Sequence, residues 1–449
     1  MRLAPVLFLS ASLGALGLQA SAAMETAVAG AEYDRSFLGR QALGNNYRDL
    51  WKTPIQVPVL DLRHYAGGLR PVRTVGGGQT LGLALEGADG RSYTFRPIDK
   101  DARRHLNDEL QGGLAGEIFK DQTSAAHPAS SIIVTPLASA AGVLHTTPHL
   151  AVMPDSPALG EFRSTFAGVL GTIDVFPQDA TEAPPGFARA REIVSTDDLL
   201  ERIRKGPEER IDAPAYVRAR LFDVFIGDWD RHGGNWRWAR LPGREEWVPL
   251  PEDRDLAFAN YEGIMLFWAR FFDPRLITFR ASYPSAEGMT RQAAPLDSVL
   301  LASVPAWIWE VTALDLTKRL HDDVIDAAIH RMPAEYRKIS GKALAANLRE
   351  RRDRLPDMAD TIYRQLSREV DVHVTDVPEW IAVRWLPGGD LVIRVIEGRA
   401  EEPWFERRFR RGETERVRIV GPFGDDFVSY QGSRGFRGIH VEVVPPAPE

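Results

Sequence analysis

Apolar and polar positions alternate along three successive runs: Leu69-Arg70-Pro71-Val72-Arg73-Thr74-Val75, Leu81 to Glu86, and Ser92-Tyr93-Thr94-Phe95-Arg96-Pro97. Gly76-Gly77-Gly78-Gln79-Thr80 and Gly87-Ala88-Asp89-Gly90 separate them. A two-residue period bounded by glycine turns predicts three consecutive antiparallel strands. The first connection, rich in glycine, leaves backbone amides free and close to anything lying beneath it. Helical stretches are expected around Asn107 to Lys120 and Ala129 to Ala141, and two more short strands at Leu150 to Met153 and Gly171 to Phe176.

Beyond the acidic, proline-rich link Gln178 to Pro185 the period changes. From Thr196 helical spacing dominates, with Val217, Leu221, Val224 and Phe225 on one face of a helix over Pro214 to Ile226. Long helical patterns return over Pro295 to His330 and Pro333 to Val370, and Arg349-Glu350-Arg351-Arg352-Asp353-Arg354 within the second reads as a solvated helix face, its arginines interleaved with acids. The period then returns to two: Trp380 to Leu386, the turn Pro387-Gly388-Gly389 and Leu391 to Glu397 form a hairpin, with short strands at Glu415 to Val420 and Gly438 to Val444. These switches divide the mature chain into 23–180, mainly strands with the glycine-rich hairpin, 186–372, mainly helical, and 376–449, a small β module. The fold class is α+β, and no internal repeat is present.

Composition adds a leader and several exclusions. Met1-Arg2 is a short basic start, Leu3 to Leu18 is mostly apolar, and Ala20-Ser21-Ala22 is a small-residue cleavage site, so residues 1–22 read as a secretory signal peptide. Ser10, Ser12 and Gly17 interrupt that run, and no later segment is apolar enough to span a bilayer, so the mature chain is expected to be exported, periplasmic or secreted, without a transmembrane segment. The chain has no cysteine, which removes disulfides, zinc-thiolate sites, a thiol nucleophile and a thioether-linked lipid. With 449 residues, 44% of them hydrophobic, it can support two or three cores. A formal charge of -7 gives no nucleic-acid footprint.

Phe225-Ile226-Gly227-Asp228-Trp229-Asp230-Arg231-His232-Gly233-Gly234-Asn235-Trp236 concentrates polar groups just past the end of a helix. Arg237 to Arg240 then alternates, Pro242-Gly243 turns, and Glu246 to Leu250 alternates back to deliver Glu252-Asp253-Arg254-Asp255. Phosphoryl transfer from a nucleotide needs one carboxylate to orient the attacking hydroxyl and two oxygen ligands from separate loops to hold magnesium against the phosphates. Asp230 can supply the first, and Asn235 and Asp253 the other two. The five-residue spacing of Asp230 and Asn235 is that of the protein-kinase catalytic loop, and the later aspartate falls where that fold places its metal-binding one. Upstream, the Gly76 to Gly78 hairpin would cover the phosphates, and the third strand would point a cation at them.

Asp230-Arg231-His232-Gly233-Gly234-Asn235 resembles the D-R-H-x-x-N loop of phosphoinositide 3- and 4-kinases, and Ile226 to His232 resembles the I-G-N-x-D-R-H of secretory-pathway casein kinases. Asp253-Arg254-Asp255-Leu256-Ala257-Phe258 resembles the D-x-D-x-x-F segment of CotH-type spore-coat kinases, and Thr94-Phe95-Arg96-Pro97 resembles the F-K-P strand of lipid and secreted kinases. The whole chain also resembles a bacterial envelope family with a G-D-W-D-R-H loop, an R-D-R-D-x-A-F segment and a late G-D-D, here Gly424-Asp425-Asp426, sometimes fused to an outer-membrane β-barrel. The resemblance implies a bilobal, atypical kinase-like fold using ATP and magnesium, with an unknown hydroxyl-bearing acceptor on protein, glycan or lipid in the cell envelope. Arg96 stands where those families carry lysine, and arginine is no equivalent of a compact ammonium. Lys100 is the alternative phosphate-contacting cation, Glu117 or Glu109 the helical acid that would pair with either, Glu117 preferred, and either Asp253 or Asp255 the metal ligand.

Other readings stand beside this one. Gly-Gly-Asn is good turn chemistry by itself. His232 reads as shaping the loop, Asp228 as a helix-end hydrogen-bonder, Trp229, Trp236 and Trp238 as packing, and Gly424-Asp425-Asp426 as a turn. Two rival functions remain: a catalytically silent, kinase-shaped envelope scaffold, and a phosphoesterase holding two metal ions on Asp228, Asp230, Asp253 and Asp255.

Overall fold

The computed structural model describes residues 23–76, 81–100, 113–179, 186–270, 273–398, 400–433, 435 and 438–445. The expected leader 1–22, Gly77, Gly78 and Glu109 lie outside the described residues. Two short strands absent from the sequence expectations, β1 (Met24–Ala27) and β2 (Ile55–Pro58), pair antiparallel. The alternating runs become β3 (Leu69–Val75), β4 (Gly82–Gly87) and β5 (Ser92–Pro97), and β6 (His149–Val152) and β7 (Leu170–Val175) complete a five-stranded sheet in the order β3-β4-β5-β7-β6. The register of β3 against β4 slips between Pro71 and Arg73. Pro71 has no N–H to give to a ladder, so a bulge on this edge strand costs little. Inward side chains Leu69, Leu83, Leu85, Tyr93, Phe95 and Ile173 bury with Met153, Leu159 and Phe166 to form this sheet's core.

A larger core lies in the helical body. Helix Ala213–Ile226 is its axis: Asp212 caps its N-terminus by accepting from the Ala215 N–H (2.9 Å), and Tyr216 to Ile226 are buried all round except Arg218. Helices Ser130–Ala141, Ala306–Arg319 and Lys342–Arg368 pack against it. Within the 349–354 cluster Glu350, Asp353 and Arg354 are exposed as expected, but Arg351 departs from the solvated-face expectation. It is fully buried, donates to the carbonyls of Phe225 (2.8 Å) and Val224 (2.6 Å), and stacks 4.1 Å from the Tyr283 ring centroid. The reason is local: the last carbonyls of helix Ala213–Ile226 end inside the protein and need a donor.

Three strands, β8 (Glu192–Ser195), β9 (Trp236–Arg240) and β10 (Trp247–Pro251), form a small sheet in the order β10-β9-β8 at the end of this helix. Helix Lys342–Arg368 passes straight into β11 (Glu369–His373), so the C-terminal strands begin at 369, earlier than 376. The strands β12 (Glu379–Trp385), β13 (Leu391–Glu397), β14 (Phe405–Phe409), β15 (Arg416–Val420), β16 (Phe427–Gln431) and β17 (His440–Val444) complete the chain. They form a four-stranded sheet, β14-β13-β12-β16, and a parallel one, β11-β15-β17. Val372, Ile381, Ile393, Val395, Val417 and Ile419 fill a separate core between them. The fold is α+β, closed by a small β module. No helix among the described residues is long and apolar enough to cross a membrane.

Candidate active site

The polar loop starts where helix Ala213–Ile226 stops. Gly227 takes the left-handed conformation (φ 75°), and a Cβ there would stand 2.7 Å from the Phe279 ring, so both backbone and space call for glycine. Arg231, buried completely, organises the loop around itself. Its guanidinium donates to the carbonyls of Asn235 (2.7 Å) and Glu252 (2.7 Å), pairs with Asp223 (3.3 Å) and Asp228 (3.4 Å), and lies 4.7 Å from the Trp236 ring centroid. Arg254, from the loop after β10, reaches the other oxygen of Asp223 (3.1 Å). One carboxylate on the central helix therefore ties both loops. Burial, reinforced by Asp223 and Asp230, outweighs Arg231 and holds the Asp228 carboxyl well above its usual range. Burial also pulls Arg254 down to about 10 against the pull of Asp223.

Asp230 and Asn235 are joined directly: the Asn235 Nδ2 donates to the Asp230 carbonyl (2.7 Å). The Glu252 N–H donates to the Asn235 carbonyl (2.9 Å), which fastens the second loop to the first. Among the described residues neither the Asp230 carboxylate nor the Asn235 Oδ1 has a hydrogen-bond partner. The Asp230 charge is felt by Tyr261 and Arg275 on the following segment. His232 shapes the loop, its Nδ1 accepting from the Gly234 N–H (3.0 Å). Trp236 and Trp238 are buried and stacked at 6.1 Å.

Asp253 sits at φ 47°, a left-handed position that aspartate tolerates better than most residues. Lys100, three residues past the end of β5, brings its ammonium to Asp253 (3.2 Å) and Asp255 (2.5 Å). The two carboxyls also share a hydrogen bond. Burial opposes the charge on each, yet Lys100 holds Asp253 below the ordinary carboxylate range, while burial and the Asp253 charge push Asp255 above it. They behave as a pair sharing one proton. Burial lowers the Lys100 ammonium, and the two carboxylates more than restore it, leaving it above its ordinary value. The Asp255 carbonyl accepts from the Ser130 hydroxyl (3.0 Å), anchoring this loop to helix Ser130–Ala141.

The remaining sequence candidates are more dispersed. Arg96 is half-buried on β5 and makes no ion pair among the described residues, but its charge reaches both Asp253 and Asp174. Gly76 (φ 89°) follows β3, and Glu117 is exposed on helix Leu114–Asp121. Sequence reasoning missed Asp223 and Arg254. The signal available for Asp223 was an acid inside the apolar run Leu221-Phe222-Asp223-Val224-Phe225, since such residues are rarely buried unless paired.

The oxygens of Asp253, Asp255 and the Asn235 side chain are hard donors of the kind magnesium takes alongside phosphate and water. The Asn235 Oδ1, without a hydrogen-bond partner among the described residues, and the Asp253 carboxylate are donors of the type such an ion takes. The four-aspartate cluster of the phosphoesterase reading does not assemble: Asp228 is buried against Arg231, and no group of three or more His, Asp or Glu among the described residues is placed to hold a metal.

No family model matches the chain. No curated protein matches it. Among solved structures it is similar to the Helicobacter pylori proinflammatory kinase CtkA, at 11% identity over 62% of this chain and 93% of that one, with a TM-score of 0.31. It is also similar to a chain of the Shewanella oneidensis MR-1 toxin–antitoxin complex of HipA, HipB and operator DNA, at 13% identity over 66% of this chain and 73% of that one, with a TM-score of 0.33. Likeness at this level carries no residue roles across.

Proposed function

We propose that the chain is an exported, atypical kinase-like phosphotransferase that moves a phosphoryl group from ATP to a hydroxyl acceptor in the cell envelope. The observation that carries this reading is the meeting of Lys100, delivered by the N-terminal sheet, with Asp253 and Asp255, delivered by the helical body. A cation from one side and carboxylates from the other are the charges that a metal-bound polyphosphate requires.

In this reading the Asp230 carboxylate accepts a hydrogen bond from the acceptor hydroxyl, aligns it and receives its proton as the new oxygen–phosphorus bond forms. The bond from the γ-phosphorus to its bridging oxygen breaks, and ADP departs. Lys100, with Arg96 on the same strand connection, holds the phosphates. Asn235 Oδ1 and Asp253 would hold magnesium, which neutralises charge on the phosphates when bound. Arg231 and Arg254 touch no substrate; through Asp223 they position the two loops.

One observation favours a second reading, a silent binding module: the Lys100 ammonium already pairs with both carboxylates that a metal would need. Thermal unfolding of the mature chain with ATP, with and without magnesium, decides between them. Ligand at 100 times its dissociation constant adds about 2.7 kcal/mol. A magnesium-dependent rise in Tm, lost in Asp253→Ala, is expected; no rise in the folded wild type would overturn the enzyme reading.

A further inference from the structure

Helices Phe37–Leu43 and Ile264–Ala269 carry an apolar face, and residues from Arg270 to Ser285 line a cavity beside it. The short helices Phe37–Leu43 and Ile264–Ala269 pack on each other, with backbones in contact at Gly44 and Gly263. Both glycines are left-handed (φ 93° and 105°), and a Cβ would stand 2.2 Å from the Glu262 carbonyl oxygen at the first and 2.4 Å from the Gly44 nitrogen at the second. The crossing therefore depends on glycine at both positions. Outward from it project Phe37, Leu38, Ile264, Met265, Phe267 and Trp268, each between 45% and 76% exposed. A contiguous apolar patch of this kind on a folded surface marks an interaction site.

Helix Ile264–Ala269 leads directly into Arg270, which with Arg280 and three hydroxyl side chains lines the polar side of a cavity of about 310 Å³ whose other wall is Pro274, Ile277 and Pro284. Arg270 donates to the Leu276 carbonyl (2.8 Å), the Tyr261 carbonyl and the Thr278 hydroxyl (2.9 Å), all neutral oxygens. Arg280, 65% exposed, pairs with Glu262 at 3.1 Å. Two guanidiniums against one carboxylate leave the polar side of the cavity positive, and the Ser282 hydroxyl lies beside them. Burial and the neighbouring Arg280 hold the Arg270 guanidinium below its ordinary pKa, as expected of a cation short of anions.

We propose that this face docks on an anionic phospholipid bilayer, with headgroup phosphate against Arg270 and Arg280 and the six apolar side chains seated among the upper acyl chains. The apolar side chains stand on the outside of two helices, next to the guanidiniums of Arg270 and Arg280. A bilayer presents an apolar phase and an anionic layer next to each other, and rewards both features at once. The docking stands without the transfer chemistry.

Co-sedimentation of the mature chain with phosphatidylglycerol vesicles and with phosphatidylcholine vesicles tests the docking. Preferential sedimentation with phosphatidylglycerol is expected, reduced at least about tenfold in partition constant, equivalent to about 1.4 kcal/mol, by Trp268→Ser and by Leu38→Ser. Arg280→Glu should erase the preference for the anionic vesicle. Unchanged Tm shows that a variant is folded; if Trp268→Ser is not, Leu38→Ser on the other helix gives the answer. No sedimentation with phosphatidylglycerol, or sedimentation indifferent to these substitutions, overturns the proposal. So does a Tm rise with inorganic phosphate alone and no vesicle binding, which would identify a free-anion site. The ATP measurement is independent, so either idea can fail without the other.

Discussion

Asp230 and Asn235 divide their labour atom by atom. Asn235 spends its Nδ2 on the Asp230 carbonyl, which fixes the loop and leaves the Asp230 carboxylate and the Asn235 Oδ1 without hydrogen-bond partners among the described residues. Asp230→Ala should accordingly lower phosphoryl transfer by about 10²–10⁴-fold, the range for a lost acid–base group, while the magnesium-dependent ATP shift in Tm persists. Transfer and Tm measured on the same sample check both halves. Asp174 gives a pH prediction of different origin. Burial pushes its carboxyl up to about 6, against the Thr146 hydroxyl, the Arg96 charge and the N–H groups of Val175 and Thr147. A raised carboxyl keeps its proton in the folded state after the unfolded chain has lost it. Stability therefore falls as pH rises from the ordinary carboxylate value to about 6, by about 3 kcal/mol at most. Urea midpoints across that window should show Asp174→Asn gaining on the wild type as pH rises, and a constant difference would refute the assignment.

At the scale of elements, the helix Ala213–Ile226 does more than its apolar spacing announces. The period located it within a residue, but a helix read as one-faced is buried all round, and its polar members carry the site. Asp223 balances Arg231 and Arg254, and Asp297 holds Arg220 at 3.0 Å beside them. Removing one partner of such a network strands the others without solvent. Asp223→Asn should cost about 3–5 kcal/mol in urea unfolding, far more than an exposed ion pair such as Arg364 with Asp360 could. Strands were legible wherever alternation was clean, as at β3, β4, β5, β12 and β13. β14 was not, because its inward position 407 is an arginine. Arg407 nevertheless buries, donating to the Ala302 carbonyl (2.6 Å) and lying 4.7 Å from the Phe409 ring centroid. A polar residue with a distant partner breaks the pattern that locates a strand.

Over the whole molecule the cores are unequal. The β module buries its own apolar set, to which the helical body adds Ala302, while helices on both sides of residue 180 share the large core around Ala213–Ile226. Calorimetry should therefore resolve two transitions, and ATP with magnesium should raise only the one belonging to the body that carries Asp230. A single transition moved as a whole would show the module to be cooperative with the site.

Periodicity and turn chemistry are properties of neighbouring residues, so the sequence by itself determined most strands and helices, the α+β class and the paired loops bearing Asp230, Asn235 and Asp253. Tertiary structure alone decided which charges meet. Lys100 reaches Asp253 across 153 residues of sequence, Arg351 finds carbonyls 126 and 127 residues away, and Asp223 gathers arginines from two loops. The physical reason is desolvation: a charge removed from water must take whatever partner packing brings to it, and no local pattern records which partner that will be.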